Sequence, residues 1–407
     1  MPRAALPPNP LFSPGYLARC CPLVGQAVSP ANPAPSALAR QARRTGPLAC
    51  PAALTAPPQQ KAVEKCGLEE AKASCKVDLQ PAMTALVRAL FGVLLFASAA
   101  FPQTFLRFEK SADAMGSVFS VVLYGADREK LEAAAGAALD EGRRLDALLS
   151  NYQPGSEWTQ VNRGAAANPV KVSVELFGLL SVCLDYSRAS DGAFDITVGP
   201  LMRVWGFYKG DGSLPRRSAI AAALAKVGYR HIHLDAAAQT VRFDRSGVEL
   251  DPGGIGKGYA VDRMVDVLRR KSVDTALVAG SGSSIYGLGA PPDSPRGWPV
   301  DIRDPWHPRQ KAADVFLKDM SMSTSGSYEK FFRAEGRIYA HIMDPRTGYP
   351  AQGSVAVSVV APRTIDSEAW AKPYFVNGRQ WAAQHKAEDF RVFFCQDRTD
   401  HPCAWLQ

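Results

Sequence analysis

Apolar and polar positions follow two alternating periods after about residue 100. Ser117–Tyr124 (SVFSVVLY) is dense in β-branched and aromatic residues and predicts a strand. In Arg128–Ser150 the apolar residues Leu131, Ala134, Ala138, Leu145 and Leu148 form the stripe of an amphipathic helix. Val174–Ser190 predicts a second helix, ended by Asp191-Gly192, and Ser218–Val227 a third. His231–Asp235 and Thr240–Asp244 read as a hairpin. Val248–Asp251 reads as a strand leading into Gly253-Gly254-Ile255-Gly256-Lys257-Gly258 and a helix to about Arg270. Thr275–Ala279 predicts a buried strand, followed by a Ser/Gly-rich stretch over 280–284. Further strands are expected near 299–303, 314–318, 337–343 and 354–360, and a helix over 366–387 in which Pro373 removes a backbone donor. The resulting class is one α+β domain, mixed sheets covered by helices, over residues 101–407.

The first fifth behaves differently. From Met1 to about Pro58 no period of 3.6 or 2 is sustained, and residues 1–82 carry 14 of the 31 prolines and five of the eight cysteines. Such a stretch cannot bury enough apolar surface to offset chain entropy, which predicts a disordered Pro/Ala-rich extension. It is read either as a regulatory or linker tail or as sequence upstream of the true start. Residues 83–100 favour the upstream reading. They set Arg88 before the apolar run Ala89-Leu90-Phe91-Gly92-Val93-Leu94-Leu95-Phe96 and close on Ala97-Ser98-Ala99-Ala100. A basic residue, a short apolar run and a small-residue exit are the pattern of a secretory signal peptide, against a buried core helix. The apolar run is about a dozen residues, short of the ~20 that span a bilayer. Export to the periplasm or the outer face of the inner membrane is therefore expected, with a mature start near Ala100. The mature cysteines are then Cys183, Cys395 and Cys403; the last two are close enough to bridge, and spacing alone does not decide it.

Composition sharpens this. Of 407 residues, 46% are hydrophobic and 21% charged, which excludes a wholly disordered, collagen-like or multi-span membrane protein. The net charge of +8 is concentrated in residues 1–82, which hold nine Lys/Arg against four Asp/Glu. The remaining body is near neutral, and no nucleic-acid partner is expected. Membrane association is expected only through the signal segment or a membrane-bound partner.

Five short motifs could carry chemistry. Asp251-Pro252-Gly253-Gly254-Ile255-Gly256-Lys257-Gly258 stands where a strand hands over to a helix, so its amides and Lys257 suit a phosphate; a plain tight turn is the bland alternative. It is not a Walker loop, because Asp251 stands where Gly is needed and Gly258 replaces Ser/Thr, which argues against a P-loop nucleotide hydrolase. In Phe194-Asp195-Ile196-Thr197-Val198-Gly199-Pro200-Leu201, an Asp/Thr pair inside an apolar run reads as a strand-edge turn or as backbone lining a ligand. Tyr152, beside Gln153-Pro154, could stack on a planar ring or be a core tyrosine. Ser323-Thr324-Ser325-Gly326 is a hydroxyl-rich turn. His341-Ile342-Met343-Asp344-Pro345-Arg346-Thr347-Gly348-Tyr349-Pro350 gathers an imidazole, a carboxylate and a guanidinium, a set that suits phosphate chemistry. His231 and His233 share a strand face without the carboxylate or Cys spacing of a zinc site.

Together with Met115-Gly116 and Tyr152-x-Pro-x-Ser156-Glu157, these motifs in this order resemble the ApbE family of flavin transferases, over about residues 108–395. The resemblance implies an ApbE-like (T-fold-like) single domain of mixed, largely antiparallel sheets packed with helices. It implies an exported FAD:protein FMN transferase that moves FMN from FAD to a Thr or Ser hydroxyl of an acceptor protein, releasing AMP with the help of Mg²⁺. Carried over residue by residue, Met115, Tyr152, the Ala193-Phe194-Asp195 backbone, Asp251 and Lys257 would contact FAD, and His341-Ile342 would line the site near the pyrophosphate. His341 would accept the proton of the incoming hydroxyl. The Gly254 carbonyl matches a Mg²⁺ ligand. The family's Ala-Asp-Ala-x-x-Thr-Ala stretch, whose Asp and Thr complete the metal site, is here Ser367-Glu368-Ala369-Trp370-Ala371-Lys372-Pro373. Glu368 retains a carboxylate, but Lys372 stands where Thr is expected; an ammonium cannot ligate a cation, though it could replace one by pairing with Glu368 and the phosphates, and Asp366 is an alternative source of an oxygen ligand. Two further readings arise from that departure and from the site itself: a non-catalytic FAD-binding protein with a degenerate metal site, and an FAD pyrophosphatase that gives FMN and AMP with water as acceptor.

Overall fold

Met115 and Gly116 set the first strand pairing. Both take positive φ, 52° and 66°, the two-residue hairpin geometry that matches the right-handed twist of a β-ribbon. They join β1 (Leu106–Ala114) to β2 (Ser117–Gly125) in register from Ala114↔Ser117 to Leu106↔Gly125. The computed structural model describes residues 105–210, 212–397 and 403–407. The extension over 1–82 and the expected signal segment over 83–100 lie outside the described residues.

The chain continues through α1 (Arg128–Leu149), α2 (Glu157–Gly164), β3 (Val170–Lys171), α3 (Val174–Ala189), α4 (Gly199–Val204), α5 (Arg217–Leu224), β4 (Ile232–Asp235) and β5 (Thr240–Phe243). The second half holds α6 (Gly256–Arg270), β6 (Ala276–Gly280), β7 (Ser284–Leu288), β8 (Trp298–Arg303), β9 (Lys311–Leu317), β10 (Met320–Gly326), β11 (Phe331–Ala334), β12 (Arg337–Ala340) and β13 (Ser354–Ala361). It ends with α7 (Thr364–His385), β14 (Arg391–Gln396) and β15 (Cys403–Trp405). Eight strands form the main sheet in the order β1-β2-β6-β7-β10-β13-β14-β15. Its ladders are all antiparallel; parallel pairing occurs at the isolated bridge Val198–Glu249.

Two-residue alternation decides what covers each face. β2 sends Phe119, Val121 and Leu123 against Leu131, Ala135 and Leu139 of α1 and Met264 and Leu268 of α6. Val122 and Tyr124 face the other way, toward Trp298 of β8 and Val315 and Leu317 of β9. A separate core joins Trp158, Leu176, Leu180, Phe194, Val241 and Phe243, from α2, α3 and the three-stranded β3-β5-β4 sheet. Cys395 and Cys403, left open by spacing, are disulfide-bonded across β14 and β15, whereas Cys183 is free and buried.

Four expectations change. Ser323–Gly326 is not a turn but the end of strand β10, paired antiparallel with β13. Val248–Asp251 forms an isolated parallel bridge rather than a strand: Glu249 and Asp251 bond the backbone of Gly199 (3.1 Å) and Ile196 (2.7 Å), while Leu250 between them donates to Asn162 Oδ1 (2.7 Å) and accepts from Asn162 (3.0 Å) and the Trp158 indole (3.1 Å). The strand expected to 343 stops at Ala340. The helix expected over 366–387 begins at Thr364, carries Pro373 in its interior and breaks at Gly378, whose φ is 83° and ψ 173°.

One contact between helices positions the site. The first turn of α7 has no side-chain cap of its own. Asp262 of α6 supplies it, accepting from the amides of Thr364 (2.7 Å) and Ile365 (2.9 Å). Helix α6 is also uncapped at its own start, and Glu368 of α7 accepts from the Gly258 amide in its first turn. Each helix therefore satisfies the other's orphan donors. Desolvation pushes the Asp262 carboxyl up to about 6 against the pull of these hydrogen bonds. The crossing is close enough that a Cβ at Gly258 would lie 2.5 Å from the Thr364 carbonyl oxygen. Gly258→Ala is expected to destabilise the fold by about 1–3 kcal/mol through overpacking. A urea melt checks this as a lower midpoint at unchanged slope.

Candidate active site

The glycine-rich turn before α6 is held by its own first residue. Asp251 is 9% exposed; its Oδ1 accepts from the Gly253 amide (2.7 Å) and its Oδ2 from the Tyr208 hydroxyl (2.7 Å). Burial raises its pKa, and the two hydrogen bonds oppose that rise. Tyr208 then meets Tyr152 edge-on, with centroids 6.4 Å apart and planes at 80°. The Arg203 guanidinium lies 5.3 Å over the Tyr208 ring and is paired with Glu249. Tyr152 is 75% exposed, which removes the core-tyrosine reading and leaves an aromatic face open beside the turn.

The loop after α3 packs behind that turn. Asp195 Oδ1 accepts from the Thr197 amide (2.8 Å) and hydroxyl (2.6 Å), and Oδ2 from the Tyr229 amide (2.6 Å). Its carboxylate is therefore consumed in ordering its own loop, and burial raises its pKa. The amides of Ala193 and Phe194 are spent on the Ser190 carbonyl (3.0 Å) and hydroxyl (3.0 Å). The Phe194 ring reaches the glycine turn, 3.5 Å from where a Cβ on Gly254 would stand. Met115 sits on the other side of the turn, its Sδ 3.9 Å from the corresponding position of Gly256.

Lys257, in the first turn of α6, donates to the hydroxyls of Ser283 (2.9 Å) and Ser281 (3.2 Å) in the turn between β6 and β7. Ser281 and Gly282 both take positive φ there, 54° and 69°. Lys372 stands on α7. Its Nζ donates to the Glu368 carbonyl (3.1 Å) and lies 3.8 Å from Glu368 Oε1, and its Cε is 3.6 Å from the Cβ position of Gly254. Burial lowers the Lys372 pKa; Glu368 opposes that shift and Lys257 adds to it. His341 lies within range of these charges. Its Nδ1 faces the Lys330 carbonyl at 3.3 Å, and its ring meets Phe207 edge-on at 6.4 Å. Desolvation lowers its pKa to about 4; the Lys330 carbonyl opposes that fall, while the charges of Lys330, Lys372 and Lys257 add to it.

These contacts run from Tyr152 through Tyr208 and Asp251 to the glycine turn and on to Lys372, while the charges of Lys330, Lys372 and Lys257 act on His341, whose ring packs on Phe207, the chain neighbour of Tyr208. The segment bearing Lys257 and the segment bearing His341 therefore lie near each other, within electrostatic range. Ile342, Asp344 and Arg346 are not among these contacts. Ile342 is a core residue, 6% exposed among Ala351, Val357 and Phe375, and its carbonyl accepts from the Ala351 amide (2.8 Å). Asp344 and Arg346 satisfy each other in a two-point pair, 2.9 and 3.0 Å. Three members were missed in the sequence: Tyr208, Lys330 and the capping role of Asp262. Tyr208 and Lys330 lie in irregular segments with no periodic or motif signal, and reach the site only because the chain returns there.

An anionic hollow-filler flanked by an exposed aromatic ring is what this site accommodates: three lysines converge while the neighbouring carboxylates are held by amides, a hydroxyl or an ammonium. The fold and site thus define an α+β protein whose lysines and open aromatic face are of the kind that suits a phosphate-bearing aromatic ligand. Residues 115–394 match the model of the ApbE family. The FAD:protein FMN transferase of Treponema pallidum is 36% identical over 260 residues, 60% of this chain and 72% of that protein. One from Klebsiella pneumoniae is 31% identical over 294 residues, 71% of this chain and 89% of that protein. The crystal structure of the flavinyl transferase ApbE of Pseudomonas stutzeri, apo form, covers 74% of this chain and 94% of its own at 28% identity, with a TM-score of 0.66. The chain belongs to the ApbE family.

His341 supplies a check on this geometry. Between pH 6.5, its ordinary value, and about 4 the unfolded chain takes up a proton that the folded chain refuses. Stability is therefore expected to fall as pH drops through that window and to level off below it. In an NMR titration of the ligand-free protein the His341 ring should show a midpoint near 4, and His341→Asn should remove its share of the stability loss.

Proposed function

We propose that this chain is an FAD:protein FMN transferase that attaches FMN to a Thr or Ser hydroxyl of an acceptor protein and releases AMP. The observation that carries this reading is the gathering of Lys257, Lys372 and His341 within electrostatic range of one another at the glycine turn, which the open face of Tyr152 adjoins through Tyr208 and Asp251. The pyrophosphate of FAD lies over the glycine turn, where the Lys257 ammonium and the hydroxyls of Ser281 and Ser283 meet its charge. Tyr152 stacks on the flavin. The acceptor hydroxyl attacks the FMN-side phosphorus, the bond from that phosphorus to the bridging oxygen breaks, and AMP leaves with the bridging oxygen. His341 accepts the hydroxyl proton, and desolvation suits it to this by keeping the imidazole neutral at physiological pH. Packing at the glycine turn positions these groups and holds their charges in a low-dielectric setting, where a pyrophosphate gains most.

The Mg²⁺ implied by the family resemblance does not fit the residues present. One oxygen of Glu368 is given to the Gly258 amide, and the other lies 3.8 Å from the Lys372 ammonium. At an effective dielectric of ~20, two unit charges about 4 Å apart repel by about 4 kcal/mol, and a divalent ion doubles that. No step is routed through a metal. The same ammonium favours a second reading, a protein that binds FAD without turning it over.

Export is part of the proposal. The Cys395–Cys403 bond suits an oxidising compartment such as the periplasm, and the signal pattern lies in residues outside those described.

Two measurements test this function. With FAD and a flavinylation-site peptide, the protein should yield covalent flavin and AMP; tight FAD binding with neither product leaves only the binder, and AMP without flavinylated peptide points to the hydrolase. His341→Asn should lower kcat by about 10²–10⁴-fold while FAD binding stays within a few-fold; Lys257→Met should instead weaken FAD binding by about tenfold or more. Separately, mass spectrometry of protein recovered from the periplasm should find an amino terminus near Ala100.

A further inference from the structure

We infer that the Lys372 ammonium is a built-in cation for the ligand pyrophosphate, held between Gly254 and Glu368, so that this chain binds FAD without a divalent metal. This rests on the proposed FAD site and says how that site is charged. Lys372 lies one helical turn after Glu368 on α7, so both side chains leave the same face. The carboxylate of Glu368 is almost wholly buried, 2% exposed, and is fixed from behind by the Gly258 amide. Its second oxygen needs a positive neighbour, because a buried unpaired carboxylate is costly. Lys372 Nζ is that neighbour at 3.8 Å. An ammonium carries three donors. One goes to the Glu368 carbonyl at 3.1 Å, which anchors the side chain along its own helix and leaves donors for the hollow. On the other side the Lys372 Cε lies 3.6 Å from the Cβ position of Gly254, the residue whose carbonyl a metal would need. A divalent ion approaching Glu368 there meets a resident positive charge. Lys257, in the first turn of α6, holds the hydroxyls of Ser281 and Ser283, and its charge bears on both Lys372 and His341. The pyrophosphate then lies between two fixed ammonium groups, one on each helix of the α6–α7 pair.

The lysine and the carboxylate can be separated by substitution. With Lys372 removed, Glu368 becomes an unpaired buried carboxylate beside a free carbonyl, an oxygen set that attracts a hard cation. Lys372→Thr should therefore acquire a metal requirement that the parent lacks.

The test uses the full chain, FAD titrations followed by flavin fluorescence in EDTA or in Mg²⁺, and Mn²⁺ binding followed by electron paramagnetic resonance with no FAD present. The parent should bind FAD with affinities that agree within about threefold in the two media, and should leave the Mn²⁺ signal unchanged. Lys372→Thr should lose about tenfold or more in FAD affinity in EDTA, regain it in Mg²⁺, and quench Mn²⁺ stoichiometrically. The inference is overturned if the parent gains about tenfold or more in FAD affinity from Mg²⁺, or if it sequesters Mn²⁺ itself. It is also overturned if a folded Lys372→Thr matches the parent in EDTA. Should that variant fail to fold, the EDTA and Mg²⁺ comparison on the parent still decides. A parent that binds no FAD in either medium removes the proposed function and the inference together, an outcome distinct from FAD binding that depends on Mg²⁺.

Discussion

Everything at the site is referred to the crossing of α6 and α7, where two helices cap each other. Asp262 gives its carboxylate to the first amides of α7, and Glu368 gives its own to an amide in the first turn of α6. Helix ends carry orphan donors that must be satisfied when buried. Here neither helix caps itself, so neither start is settled without the other. The consequence is rigid spacing between Lys257, one residue before Gly258, and Lys372, one turn after Glu368. The absence of a side chain at Gly258 is what permits the approach.

The second constraint is electrostatic. A hollow lined by lysines is useful only if nearby carboxylates do not neutralise it. Asp251 is occupied by the Gly253 amide and Tyr208, Asp195 by Thr197 and Tyr229, and Asp262 by α7. Each carboxylate has been turned into a structural acceptor, and desolvation raises the pKa of all three. Positive charge is thereby left facing the hollow, where an anion meets it with little competition from water. The same desolvation lowers the His341 pKa, so one physical cause acts on the carboxylates and on the imidazole alike.

Sequence and structure part company where a residue's partner is distant. The apolar stripes of α1, α3 and α6 and the β4–β5 hairpin are local signals, and they were legible. β1 was not, because its polar run LRFEKSADA is mostly exposed and reads as loop. Ser323–Gly326 reads as a turn in sequence but belongs to β10: its serines are buried, and Ser323, with Ser321 before it, bonds Ser367 of α7, so polarity there marks a helix contact rather than a surface. Asp195 shows the same inversion at the site, since a polar residue in an apolar run proved to serve its own loop. Tyr208 pairs with Asp251 across 43 residues and gave no local sign of it.

By itself, then, the order of residues decided the class of fold, the family and the roster of chemical groups, because periodicity and motif spacing are properties of neighbours along the chain. Which groups face one another was settled only by the folded chain. Lys372 shows the difference: in sequence it is a departure from a pattern, and in three dimensions it is an ammonium 3.8 Å from a buried carboxylate. Distance through space, desolvation and the satisfaction of backbone donors arise only when remote segments pack, and those are the quantities that turn a residue into part of a site.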